Sequence, residues 1–512
     1  MAGDSQLIQS EPRRPAGGTI DAQGRRIYAC GVLLAAALVV ALYWPALHSP
    51  YRLDDFAWLS LQNTIRNGHT VLWALFSPQA QGTIRPLGER VWFLLASSLF
   101  GLNPWPLHAL ALGTQIGNVV LVADTGRRLL GSRQAAAVAA LLWVVNDSLV
   151  SPIVWASAFN EVFYTFCYLA AFNAFLRWLA SGKSASEKKV WLIAHVAALA
   201  LCLGALELGA TFPAIALAYV LLVHPDQWRD QWRKVFPSAA LVLVYVVLHF
   251  AAAPLPHEGP YKLSSGSGLA ANLWSYWVNV LGPEEYRRIH PTPLAIARLG
   301  TAILTLGILC WLGTSLRHKK WKTPLFCLLW FLIPLAPTLP LLQHFTPYYL
   351  FLPSIGLAWL AGQALVQPGS WRKHSLGLVC VALYFFAQVP STIFVRDWNR
   401  DRANETSAHL LHLSGAVREI RQLQPQGPVF LTGLDMEQFW WGFCYGQLRK
   451  QGFSDLHVMP AAQTHDLYIP PKEWCSTPDF QLSEAETSRL LREGGGKVYD
   501  VAKSSPVEVP FP

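Results

Sequence analysis

The sequence predicts an α-helical polytopic membrane protein of about eleven transmembrane helices, followed by a small extracytoplasmic α/β module at the C-terminal end. Three observations predict it. Of 512 residues, 53% are hydrophobic and 14% charged, where a soluble domain carries about a quarter charged. Apolar segments of bilayer length recur along the chain. The basic residues gather in clusters separated by pairs of such segments, which is the pattern the positive-inside rule produces.

Residues 1–27 are polar, with Arg13, Arg14, Arg25 and Arg26, and read as a cytoplasmic tail. The first span, 28–47, starts too late and runs too long for a cleaved signal peptide. Further spans are expected near 106–126, 134–152, 160–179, 190–206, 209–223, 235–252, 298–316, 324–342, 348–366 and 375–394. The basic clusters are Arg127/Arg128/Arg133, Arg177/Lys183/Lys188/Lys189, Arg229/Arg233/Lys234, Arg317/Lys319/Lys320/Lys322 and Arg372/Lys373. An odd number of spans puts every cluster on the cytoplasmic side, with the N-terminus inside and the C-terminus outside. The expected location is the cytoplasmic (inner) membrane of a bacterium. Residues 28–395 then form the transmembrane domain, with outer loops over 48–106 and 253–297, and 396–512 form an extracytoplasmic domain. Within that domain the apolar periodicity predicts a helix over 405–423, a strand over 428–432, an aromatic helix over 437–450 and a strand over 456–459.

The net charge of +9 follows from the cytoplasmic loops. No basic patch with interleaved aromatics accumulates on a soluble element, so nucleic acid is not an expected partner. Six cysteines fall in spans as small apolar fillers. Cys444 and Cys475 lie in the tail, where an oxidising compartment would let them pair.

The chemistry concentrates after the first span, in Tyr51-Arg52-Leu53-Asp54-Asp55-Phe56-Ala57-Trp58. Adjacent carboxylates beside an arginine at a membrane surface suit a base working on a lipid-delivered substrate; the plainer reading is a solvated interfacial loop with belt aromatics. The same segment continues through Thr83-Ile84-Arg85-Pro86-Leu87 to Gly101-Leu102-Asn103-Pro104-Trp105-Pro106-Leu107-His108.

These motifs, the paired spans around 143–175, and Leu350-Phe351-Leu352-Pro353-Ser354-Ile355-Gly356 resemble the C-type (GT-C) membrane glycosyltransferases over residues 28–395. The resemblance is strongest to protein O-mannosyltransferases and to the transmembrane-and-TPR-containing mannosyltransferases, here without the TPR array. Asn146-Asp147 stands where those relatives commonly carry His-Pro. The resemblance implies a polyprenyl-phosphate-sugar donor, a hydroxyl acceptor on a protein, lipid or glycan, and inversion at the anomeric carbon. A carboxylate must then take the acceptor proton. Asp54 or Asp55 fills that role, with Asp54 favoured. Positive groups must meet the leaving phosphate; Arg85 and Arg52 are nearest in sequence, with Arg287 and Arg288 of the second outer loop as additions. A divalent metal, magnesium or manganese, on Asp54 and Asp55 is an option that nothing in the sequence requires.

Four residues are supporting candidates. His108 could orient a carboxylate, although a histidine at a helix entrance more often serves the interface. Glu161 is balanced between function and anchoring at a span end. Tyr348 and Tyr349 read first as interface aromatics and second as a lining of the donor groove. The competing functions are a lipid-linked glycan flippase, polymerase or ligase, and a transporter. The last would show internal repeats and broken helices with midplane charges, neither of which is evident in the sequence.

Overall fold

All eleven expected spans are helical in the computed structural model, which describes residues 17–510 apart from 66–67, 79–82, 182–184, 224–227, 254–260, 291–293, 367–370, 451–455, 461–479, 481 and 503–504. Arg13, Arg14, Lys183 and Cys475 lie outside the described residues. Among the described residues, seven helices are long and apolar enough to cross a bilayer, three more are shorter apolar helices, and one span is a pair of helices bent by 66°. The chain is an integral membrane protein.

The elements that matter for the site are α1 (Gly17–Tyr43), α2 (Asp54–Ser60), α3 (Trp105–Leu130), α4 (Arg133–Val144), α5 (Phe159–Ala180), α6 (Ala185–Ala205), α7 (Phe212–Val223), α8 (Phe236–Ala252), α9 (Leu294–Arg317), α10 (Lys322–Leu335), α11 (Ser354–Val366) and α12 (Trp371–Gln422). Small residues set how closely the spans approach, as they do where lipid gives helices no hydrophobic reason to associate. A Cβ on Gly362 of α11 would lie 2.3 Å from the Ala135 carbonyl of α4. Between α5, α7 and α10 the core is aromatic: Phe172 packs on Phe326 and on Trp330, which meets Trp359 edge-on. The Leu350–Gly356 segment is buried at the entrance to α11 and serves as a joint. Trp143 Nε1 donates to the Phe351 carbonyl and Trp330 Nε1 to the Leu352 carbonyl.

The bend after α4 falls at Asn146-Asp147, and its freed backbone groups are satisfied internally, as membrane depth demands. The Asn146 amide donates to the Val280 carbonyl (2.9 Å) and the Tyr384 hydroxyl (2.8 Å). The Asp147 N–H donates to Gln388 (2.9 Å), and Ser391 donates to its carboxylate (2.6 Å). Gln388, Ser391 and Tyr384 all belong to α12, so this knot locks the broken span to the last helix.

Two expectations need correction. The helix expected over 405–423 is not separate: α12 runs unbroken for 52 residues, roughly 78 Å, from the membrane into the C-terminal module. The helix expected over 437–450 is three short pieces, Met436–Phe439, a wide turn at Trp440–Cys444, and Gln447–Lys450. The module is a four-stranded sheet, β1 (Val429–Thr432), β2 (Leu456–Val458), β3 (Lys497–Asp500) and β4 (Val507–Val509), in the order β2-β1-β3-β4. β1 is parallel to both its neighbours, and β4 is antiparallel to β3. Cys444 is disulfide-bonded.

The 48–106 segment folds mostly as short helices, and its first, α2, is embedded in the module. Phe56, Ala57, Leu59 and Leu61 share one buried cluster with Leu413, Val417 and Ile420 of α12 and with Leu431, Phe439 and Trp440. The helix bearing the aspartate pair is therefore held by the C-terminal module as much as by the spans.

Candidate active site

The aspartates sit on the first turn of α2, and the turn before it is unusual. Leu53 has φ 48° and ψ −124°, a sparsely populated positive-φ conformation that costs on the order of 1–3 kcal/mol. Bonds on both sides hold it. The Arg52 N–H donates to Asp55 Oδ2 at 2.9 Å. The Leu53 N–H donates to the Glu437 carboxylate of the C-terminal module. Burial, then Asp435, pushes Glu437 up to about 7 against those favourable contacts.

That turn divides the pair. Asp55 is 1% exposed. Its second oxygen accepts from both the N–H (2.7 Å) and the hydroxyl (2.5 Å) of Ser157, at the mouth of α5. Burial pushes Asp55 up to about 7, with the Ser157 and Arg52 contacts pulling the other way. Asp54 is solvent-accessible and accepts no hydrogen bond among the described residues. It lies in a recess crowded by protein, so partial desolvation, then the charge of Glu89, pushes its carboxyl up to about 6.

Beside Asp54 is an ion cluster built on Arg85. Its Nε and Nη2 donate to the two oxygens of Glu207 at 2.8 and 2.6 Å, and its Nη1 donates to Glu89 at 2.8 Å. Burial alone would lower the guanidinium pKa, but the two carboxylates outweigh it and raise it. Gly88 makes the cluster possible, because a Cβ there would stand 2.2 Å from the Ala205 carbonyl at the end of α6. Tyr261, of the second long loop, feels the charges of Arg85, Asp54, Glu89 and Glu207, which places all five in one region. An aromatic wall follows: Tyr261 lies against His344 (4.2 Å between centroids), His344 meets Tyr349, and Tyr349 meets Tyr348. Glu161, 2% exposed, stands within electrostatic reach of Arg85 and Tyr348.

Other sequence candidates lie apart. Arg52 is turned away, donating to Asn399 of α12 at 2.7 Å and lying over the Trp155 ring; it braces the aspartate turn. His108 Nε2 donates to the Ser49 carbonyl at 3.0 Å and orients no carboxylate. Arg287 pairs with Glu284 (2.6 Å) and Arg288 with Glu285 (2.9 Å). Arg288 also lies 4.6 Å over Phe345, whose ring packs on Tyr276.

A divalent ion shared by Asp54 and Asp55 does not fit this arrangement. Both Asp55 oxygens are taken by N–H and O–H donors, and among the described residues no group of three His, Cys, Asp or Glu side chains could hold an ion. Sequence reasoning missed Glu89, Tyr261 and Glu437. Glu89 was recoverable, since it follows Arg85 by four residues, the spacing of a helical ion pair. Tyr261 and Glu437 carry no local signal.

No protein-family model matches the sequence, and no curated protein matches it either. Solved structures do. The crystal structure of ArnT from Cupriavidus metallidurans in the apo state superposes with a TM-score of 0.51 at 16% identity, covering 92% of each chain. The same protein bound to undecaprenyl phosphate gives 0.50 at 14% identity, again over 92% of each chain. At such identities the likeness speaks to architecture alone, and on that ground the chain has the fold of ArnT.

Proposed function

We propose that this protein is an inverting membrane glycosyltransferase that moves a sugar from a polyprenyl-phosphate carrier to an acceptor hydroxyl on the outer face of a cytoplasmic membrane. The observation that carries the reading is the division of the aspartate pair: one carboxylate is locked into the fold, and the other is open, accepts no hydrogen bond among the described residues and lies near Glu89 of the Arg85 cluster. Asp54 takes the proton of the acceptor hydroxyl as its oxygen attacks the anomeric carbon. The bond from that carbon to the phosphate oxygen breaks, and its electron pair leaves with the polyprenyl phosphate. A base with a pKa raised to about 6 is well matched to this work, being ionised near neutrality yet more basic than an ordinary carboxylate.

Arg85 receives the phosphate. Its three bonds to Glu89 and Glu207 leave one N–H on each Nη of the five a guanidinium carries, and those two suit a bidentate phosphate contact. Arg288, behind Phe345, supplies a second positive charge. The carrier's phosphate in the ArnT complex supports a donor of this class, and the acceptor is a hydroxyl of a protein, lipid or glycan.

The test is turnover in lipid nanodiscs with a panel of radiolabelled polyprenyl-phosphate sugars and mixed membrane and protein acceptors. Sugar transfer with at least one donor is expected. Donor binding without transfer would point instead to a lipid-linked glycan flippase. The pH profile is a second check. Only ionised Asp54 acts as a base, so the rate should fall about tenfold per unit as pH drops below about 6, and Glu89→Gln should move that limb to lower pH by removing a neighbouring negative charge. A rate flat from pH 7 to 5 would contradict the assignment.

A further inference from the structure

A crevice of about 600 Å³ opens between α9 and the pair α11 and α12. Such a volume is of ligand size. The crevice follows α9 from Leu304 past its end to His318 and Lys320. That length is roughly 24 Å along a helix, against roughly 15 Å for half of a bilayer's hydrocarbon core. Its walls are apolar, with Leu304, Ile308, Leu357 and Val381 among them.

Two features at the far end call for a specific occupant. The Trp311 indole N–H, which lines the crevice, is buried with no hydrogen-bond partner among the described residues, and an orphaned buried donor is destabilising unless something accepts from it. Below it, His318 and Lys320 line the mouth, and neither Lys320 nor its neighbours Arg317, Lys319 and Lys322 forms an ion pair among the described residues. Trp311 precedes His318 by seven residues, roughly 10 Å along the axis. An occupant that satisfies both has a negative headgroup, an ester carbonyl about one glycerol deeper, and a long apolar chain.

We propose that this crevice is a binding site for an anionic glycerophospholipid of the leaflet on the Lys320 side. The phosphate lies between His318 and Lys320, an ester carbonyl accepts from Trp311, and an acyl chain fills the space beside Leu357. Basic pockets between spans on that side of a membrane recognise lipid headgroups by this chemistry. A polyprenyl phosphate has the same charge but no ester for Trp311. The lipid completes the contact of α9 with the bundle.

Native mass spectrometry of the delipidated full chain tests this, with phosphatidylglycerol, phosphatidylcholine of the same chains, and undecaprenyl phosphate as separate titrants. Phosphatidylglycerol should bind more tightly than phosphatidylcholine, by about fivefold for each cation engaged. The double variant His318→Ala/Lys320→Ala should erase that preference, and Trp311→Phe should weaken both phospholipids. Ala361→Trp, which fills the crevice, should displace them, whereas Leu378→Trp, on the exposed outer face of α12, should not. The His318/Lys320 pair is exposed, so its variant tests the site even where the filled one fails to fold. Equal binding of the two phospholipids, a preference that survives the double variant, or tighter binding of undecaprenyl phosphate would each overturn the proposal.

Discussion

Asp54→Asn should reduce sugar transfer by about two to four orders of magnitude, the range a positioned general base contributes, with thermal stability unchanged. The side chain is open to solvent and accepts no hydrogen bond among the described residues, so the fold loses nothing when its charge goes. The donor remains bound through its phosphate, so KM for the donor should hold while kcat falls, the signature of an interaction used only in the transition state. Asp55→Asn should behave differently. An amide there keeps one acceptor for Ser157 but turns a donor toward the Arg52 N–H, where a carboxylate oxygen now accepts. Leaving that pair of donors face to face costs about 1–3 kcal/mol, so melting temperature falls along with activity. Parallel thermal unfolding and turnover assays separate the two variants. An Asp54→Asn protein that keeps more than about a tenth of wild-type kcat would not be missing its base.

The spans were legible because each depends on local composition and on the sign of the charge at its ends. The pieces that were misread depend on distant partners. The charged stretch after Arg396 looks like the end of a span, but α12 continues because Leu410, Leu413, Val417 and Ile420 bury one face of its extension against the sheet and α2. Asn146-Asp147 breaks a span whose hydropathy is continuous, and its stabilising partners, Gln388 and Ser391, lie more than 200 residues away. At the site, the aspartate pair was visible as a motif, yet its division into one open and one buried carboxylate was not. That division comes from Ser157 and from Glu437, which reaches Leu53 from the C-terminal module. Residue type and neighbourhood pointed to the carboxylate pair, while tertiary contacts alone decided which of the two is open.

Arg85→Met should destabilise the protein before any effect on donor is considered. Arg85 is 14% exposed and Glu89 4%, so removing the guanidinium strands a buried carboxylate without its cation. Breaking such a pair typically costs about 3–5 kcal/mol. Glu207 is one-third exposed, and water compensates part of its loss, which places the expected cost near the lower end of that range. A fall in activity of this variant alone would therefore say nothing about phosphate binding. The informative protein is the triple variant Arg85→Met/Glu89→Gln/Glu207→Gln, in which the stranded charges are neutralised. Replacing a whole buried ion cluster by neutral groups of similar size is often close to neutral for stability, so its melting temperature should recover most of the lost ground. If Arg85 meets the donor phosphate, donor affinity should stay low in this refolded triple variant, by about 1.5–3 kcal/mol for a charge-assisted bond to the phosphate. Recovery of both stability and donor affinity would make Arg85 a brace for Glu89 and Glu207, with the phosphate held elsewhere. Thermal unfolding and donor titration on the same preparations decide between the two.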